Sequence, residues 1–251
     1  MGNNIDRRIA DILNLEVVCD NAYNLAKYNQ DAFIMLRRNG FGASDSSTLL
    51  GVNLWNTVDD LIKEKCLTYV TDEERAVGAK ENVRKGADLE PIILNKFAEW
   101  SEFEVYKPDA MYRVKETPYL TVDFDGLCLM SNDIYFPVEA KYVTPYAMKY
   151  WDLSKSAENP WKGEPIRFAG NSIVEHVEET AKLYGIPAYY YTQIQHQMLI
   201  THAPFGFMAA LFDKGWDFRA FKVFADRHTQ QAIIDTGAIT WDKIKQRKGE
   251  S

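Results

Sequence analysis

The sequence predicts an α/β fold in which helices flank a central sheet of mixed strand direction, and three observations lead there. Turn-spaced apolar residues dominate the first third of the chain and return from Ile173 onward. Between Phe103 and Val143 the pattern changes to short runs rich in aromatic and β-branched residues. Two more such runs follow near Phe205 and Phe218, so strands and helices interleave rather than segregate. With 251 residues and 46% hydrophobic content the chain can bury one substantial core, and a single domain over residues 1–251 is expected.

In chain order, residues 32–38 place Phe33, Met35 and Leu36 on a turn-spaced face that stops at Asn39-Gly40. Ser44 is a candidate N-cap for a short helix through Leu49 and Leu50, closed by Gly51. Thr57 with Asp60 opens another helix that runs toward Lys65. Residues 72–100 read as helical with interruptions at Gly78 and Gly86, and the second half aligns Glu90, Ile93, Leu94 and Phe97. A carboxylate thus sits on an otherwise apolar stripe. Strands are expected at 103–107, 111–115, 119–128 and 134–143.

Residues 151–171, with Pro160, Gly163, Pro165 and Gly170, have no clear period and read as a long loop or lid. Its Lys155, Trp161, Lys162 and Arg167 offer rings and charges suited to bases and phosphates. Helices over 173–184 and 188–200 flank Gly185-Ile186-Pro187, strands are expected at 205–212 and 218–224, and a last helix runs through Trp241.

Strand alternation sends Leu120, Val122 and Phe124 to the core and Thr121, Asp123 and Asp125 the other way. On the next strand Phe136, Val138, Ala140 and Tyr142 share one face while Glu139 and Lys141 share the other. The connection between the two is short, which makes them adjacent and antiparallel. Together they present carboxylates and one ammonium. Magnesium takes hard oxygen ligands, commonly one or two carboxylates with water and a substrate phosphate. Asp125, Glu139 and the carbonyl of Ala140 supply such oxygens, and Lys141 can position or deprotonate an attacking water and offset transition-state charge. That is metal-assisted hydrolysis of a phosphodiester. The same residues are also compatible with a surface ion-pair ladder on an exposed sheet face.

The formal charge of −7 excludes a uniformly basic nucleic-acid surface, though not a local basic channel. Cys19, Cys66 and Cys128 form no C-x-x-C pair, so neither a disulfide framework nor a zinc knuckle is expected, and a four-cysteine iron–sulfur cluster is excluded. His176, His196, His202 and His228 form no H-E-x-x-H element, and there is no phosphate-binding G-x-x-x-x-G-K-(S/T) loop. No apolar run approaches the roughly 20 residues of a membrane span, and the N-terminus lacks a signal-peptide core. A cytoplasmic protein without a membrane partner is expected.

Val122-Asp123-Phe124-Asp125-Gly126-Leu127 followed by Val138-Glu139-Ala140-Lys141 resembles the PD-(D/E)-x-K signature of restriction-endonuclease-like cores. More narrowly, it is similar to the phage lambda exonuclease and YqaJ-type viral recombinase family. Leu36 to Ser44 resembles that family's opening R-x-G-(I/V)-x-x-S element, Gly86 to Pro91 its G-x-x-x-E-P helix, and Tyr191 to Gln195 its A-Q-V-Q helix. Phe124 stands where the family usually has Pro, and Gln197 where related nucleases often have Tyr. The resemblance implies Asp125, Glu139, Ala140 and Glu90 around a magnesium ion that manganese can replace, Lys141 as the catalytic lysine, and Gln193 orienting the water or the lysine. It also implies that Arg37 and Ser44 grip a terminal 5′-phosphate. The substrate implied is a double-stranded DNA end resected 5′→3′, the assembly a homo-oligomer of trimer type, and the partner a single-strand annealing protein. A structure-selective or restriction-type endonuclease, or a non-catalytic DNA-binding recombination accessory protein, are the other readings.

Overall fold

The computed structural model describes residues 4–130, 133–166 and 168–249. Helix α1 (Asn4–Ile12) leads into strand β1 (Leu15–Cys19), and the helices α2 (Ala22–Tyr28), α3 (Gln30–Arg37), α4 (Ser46–Leu49), α5 (Val58–Cys66), α6 (Asp72–Gly78) and α7 (Glu81–Ser101) follow. Five strands come next: β2 (Val105–Tyr106), β3 (Met111–Val114), β4 (Thr121–Asp123), β5 (Gly126–Met130) and β6 (Ile134–Val143). The chain continues through α8 (Ile173–Tyr184), α9 (Ala188–Thr201), β7 (Phe205–Phe212), β8 (Asp217–Phe224) and α10 (Arg227–Lys248).

Two sheets form. The larger has the order β2-β5-β6-β7-β8, antiparallel except for the parallel β6–β7 pair. A parallel neighbour needs a long crossover, which α8 and α9 provide. The smaller sheet, β1-β3-β4, is antiparallel throughout. The α/β class with a mixed sheet between helices is therefore the observed one.

The main core lies between the larger sheet and its helices. Ile93 and Phe97 of α7 pack toward Phe136, Val138 and Phe207, with the Phe97 and Phe207 rings 5.1 Å apart. Val138 pairs with Phe207 in the β6–β7 register, so that face belongs to α7, and the alternate residues Glu139 and Lys141 face α9. A second core joins Ile9 of α1 and Leu13 just after it to Tyr112 and Val122 on the smaller sheet and to Phe124 just beyond it. A third joins Phe41, Leu49, Leu61 and Ile62 to Ile244 of α10.

Three local expectations change. The first third contains the strand β1 among its helices, because Val17 and its neighbours pair with β3. Gly86 does not interrupt α7, since a glycine with no neighbour near its Cβ position costs helix stability without breaking the turn. The expected strand 119–128 is two strands in two different sheets, β4 and β5, with Phe124 and Asp125 at the crossing. The last helix runs through Trp241 as expected and ends at Lys248. Among the described residues of 151–171, Leu153–Lys155 form a short 3-10 turn and the others are irregular. Trp161 packs on Phe103 there with ring centroids 5.0 Å apart, and Arg167 lies outside the described residues.

Candidate active site

β5 begins at Gly126 opposite Val138, so beyond Val138 that edge of β6 carries no β5 partner. Asp125 occupies the gap: its Oδ2 accepts the backbone N–H of Ala140 at 2.9 Å. In an extended strand the N–H and C=O of one residue point to the same side, which directs the Ala140 carbonyl to Asp125 as well. An added Cβ at Gly126 would lie 2.8 Å from Val105 and 3.0 Å from Leu94, so glycine is what lets the chain turn there between two packed elements.

Glu139 is only 1% exposed. Its Oε1 accepts from Lys141 Nζ and Gln193 Nε2, and its Oε2 accepts from Gln197 Nε2 at 2.5 Å. Gln193 and Gln197 lie four residues apart on α9 and so project from one face of that helix. Burial, reinforced by the charge of Asp125, pushes the Glu139 carboxyl above the ordinary carboxylate range. Burial alone would lower the Lys141 amine, but Glu139 and Asp125 outweigh it and raise it. The ammonium also sits 5.0 Å from the centroid of the Tyr190 ring.

Glu90 stands apart from this group. It forms an ion pair with Lys107, whose ammonium also lies 4.2 Å from the Tyr23 ring centroid. Both line a cavity of about 320 Å³ together with Asp109, Asp123 and Asp125. Glu90 thus reaches the cleft from α7, the face of the sheet opposite α9, and Lys107 intervenes on its carboxylate. Pro91 has no N–H to give Ala87, and both residues line the same cavity.

Arg37 and Ser44 are brought together, Arg37 Nη2 donating to Ser44 Oγ at 2.5 Å. Ser44 is not the N-cap: it lies inside a 3-10 turn, Ala43–Asp45, where the Asp45 carboxylate accepts the Gly42 N–H. That leaves the hydroxyl for Arg37. Asp45 also accepts from Lys65 Nζ at 2.8 Å, and Lys65, 1% exposed, donates to the Arg37 carbonyl at 2.9 Å. Burial would raise the Asp45 carboxyl, yet Lys65 and Arg37 hold it below its usual value. Arg37 is coupled electrostatically to Asp45 and Asp123, which ties the Arg37–Ser44 pair to the strand that leads into Asp125.

Sequence reasoning missed Lys107, Lys65 and Asp45, and it took Gln197 only as a departure from a pattern. The four-residue spacing from Gln193 was the available signal for Gln197. Nothing local marks the other three, since they are defined by approach between distant segments.

For a divalent ion the fit can be judged from the donors. Among the described residues no group of three or more His, Cys, Asp and Glu side chains is gathered to hold a metal alone. Asp125 Oδ1 accepts no hydrogen bond among the described residues. Glu139 Oε2 has one lone pair left beside Gln197, and the Ala140 carbonyl faces the same side. This is an oxygen-only set of two carboxylates and a carbonyl, which suits magnesium completed by water and phosphate oxygens.

A family profile described as "YqaJ-like viral recombinase domain" matches residues 32–204. An uncharacterized protein, YqaJ, of Bacillus subtilis (strain 168) is 27% identical over 134 residues, 53% of this chain and 40% of that protein. The match therefore spans less than half of that relative's length. Among solved structures, the alkaline exonuclease LHK-Exo from Laribacter hongkongensis superimposes with a TM-score of 0.56 and 13% identity, over 85% of this chain and 94% of its own. LHK-Exo in complex with dAMP gives the same score and identity over 87% and 96%. At that identity the likeness is one of fold.

Proposed function

The chain belongs to the YqaJ-like viral recombinase domain family, and from that premise we propose that it is a magnesium-dependent DNA exonuclease, acting as one nuclease domain, that resects linear double-stranded ends 5′→3′. The observation that carries the reading is the junction at the free edge of β6. There Asp125 accepts the Ala140 N–H, and the adjacent Glu139 accepts from Lys141 and Gln193. Burying a carboxylate costs on the order of several kcal/mol, and a module that only binds DNA has no need of one held among three donors.

Asp125, Glu139 and the Ala140 carbonyl would hold the ion, with Glu90 entering the set when Lys107 is displaced from it. When bound, magnesium lowers the pKa of a coordinated water and draws charge from the scissile phosphate. Gln193 fixes Glu139 from α9 and so fixes the direction in which its free lone pair points. Lys141, held protonated by the two carboxylates, is suited to orient the attacking water and to offset charge on a phosphorane-like transition state, not to remove a proton. Arg37 and Ser44 would grip the terminal 5′-phosphate, a fork and a hydroxyl beside it being suited to that anion. The exposed 3′ strand would pass to a single-strand annealing protein, and the working assembly would be a homo-oligomer of trimer type.

The test uses three substrates: linear duplex with a 5′-phosphate, the same duplex with a 5′-hydroxyl, and covalently closed circles. Wild-type protein should degrade the first with magnesium, the second more slowly, and leave the third intact. Lys141→Ala should lower the rate at least about 100-fold while DNA binding persists. Rapid cutting of circles would replace the exonuclease reading with an endonuclease one, and retained cleavage in Lys141→Ala would remove the mechanism.

A further inference from the structure

We propose that Trp55, backed by Tyr189, is a stacking platform for an unpaired base of the DNA strand held at the site above, a subsite that rests on the nuclease reading. Trp55 is 70% exposed, an unfavourable place for so large a ring, yet the loop that carries it is pinned. Asn53 Oδ1 accepts the N–H groups of Trp55 and Asn56 at 2.8 and 2.9 Å, and Asn53 Nδ2 donates to Ser47 Oγ at 3.0 Å. Ser47 Oγ in turn donates to the carbonyl of Ser44 at 3.2 Å. The loop that displays the ring is therefore tied by hydrogen bonds to the turn that pairs with Arg37.

On its other side the ring meets α9. The centroids of Trp55 and Tyr189 are 5.2 Å apart, those of Tyr189 and Tyr190 are 4.4 Å apart, and Lys141 Nζ lies 5.0 Å from Tyr190. A continuous aromatic track thus runs from the lysine of the site out to an exposed indole. Tyr189 also borders a cavity of about 460 Å³ with Leu54, Tyr150 and the ammonium-bearing Lys149 and Lys182. An exposed indole continued by tyrosines beside lysines matches a nucleic-acid strand, whose bases stack and whose phosphates seek cations. Because the hydrogen bonds order the loop before any ligand arrives, stacking on it carries little entropic cost. A base next to a phosphate placed at Lys141 has this track as its neighbour.

The experiment compares a fluorescein-labelled, 5′-phosphorylated duplex ending in three unpaired thymidines with one whose unpaired positions are abasic. Binding is read by anisotropy in chelator, on wild type, Trp55→Ala, Trp55→Phe and Tyr189→Leu. Wild type should prefer the base-containing end by about ten-fold, Trp55→Ala should lose that preference, and Trp55→Phe should keep most of it. No base preference in wild type, or an equal preference in Trp55→Ala and Tyr189→Leu, overturns the platform. A loss of self-association in Trp55→Ala with the base preference intact also overturns it and makes the surface a contact between copies. Cleavage of the linear duplex with magnesium is measured on the same wild-type protein, so failure to cut sinks the nuclease reading separately.

Discussion

Glu139 is held by three side-chain donors at near-zero exposure, and this confinement makes single-residue effects at the site readable. Gln197→Leu removes one donor and leaves a buried lone pair unmet, so a loss of about 1–3 kcal/mol in stability is expected from urea unfolding. Lys107→Met should tighten magnesium binding in calorimetry several-fold, because Glu90 loses its built-in cation; unchanged affinity would show that Glu90 takes no part. His196 supplies a pH test. Its Nε2 lies 3.0 Å from the Thr121 carbonyl and must donate, so its Nδ1 accepts from Ser46 Oγ, and burial depresses the ring to about 4. The folded protein then binds fewer protons than the unfolded chain between about pH 4 and pH 6.5, so stability is full above that window and falls as pH drops through it. His196 alone contributes a loss of about 2 kcal/mol between pH 7 and pH 5, opposed by the raised Glu139 carboxyl, so it is read as the difference in pH slope between wild type and His196→Gln in urea titrations. At this scale Asp125, Glu139 and Lys141 were legible because their chemistry and spacing are local, and Gln193 only through the family resemblance. Lys107 and the Lys65–Asp45 pair were not, since their meaning depends on which distant segment each ammonium meets.

The elements were legible wherever one period held to its end. Helix α8 and strands β6 and β7 have the bounds that the pattern predicts, and α9 and β8 differ by one residue at one end. The period misleads at residues 119–128, where an unbroken alternation crosses from one sheet into another at Phe124 and Asp125. That crossing creates the site: a continuous strand would have paired with the β6 edge that Asp125 now caps. Gly126→Ala tests it, because the new methyl must displace Val105 or Leu94. Overpacking of about 1–3 kcal/mol is expected in thermal unfolding, with a fall in cleavage of ten-fold or more as Asp125 shifts, where ten-fold corresponds to about 1.4 kcal/mol. Full activity in a stably folded Gly126→Ala would mean that the turn does not aim the carboxylate.

Taken whole, the chain extends beyond the family match at both ends, and α10 shows what the C-terminal part does. Ile244 is fully buried with Phe41, Leu61 and Ile62, and the Trp241 and Phe41 rings meet edge-on at 5.5 Å. Phe41 directly precedes the turn of Gly42, Ser44 and Asp45, so α10 braces the Arg37–Ser44 element from behind. No helix of the described residues is long and apolar enough to cross a membrane. Across the molecule, Asp125 caps the edge of β6, Gln193 and Gln197 of α9 hold Glu139, and Arg37 at the end of α3 is tied electrostatically to Asp123. The account stands on a divalent ion held between Asp125 and Glu139. The direct measurement is release of label from the 5′ end of a linear duplex, followed in magnesium and in chelator for wild type and Asp125→Asn, with magnesium binding measured calorimetrically on both. Label release that needs magnesium, together with loss of both release and metal binding in Asp125→Asn, is the expected result; release that persists in chelator, or metal binding unchanged in Asp125→Asn, would contradict it.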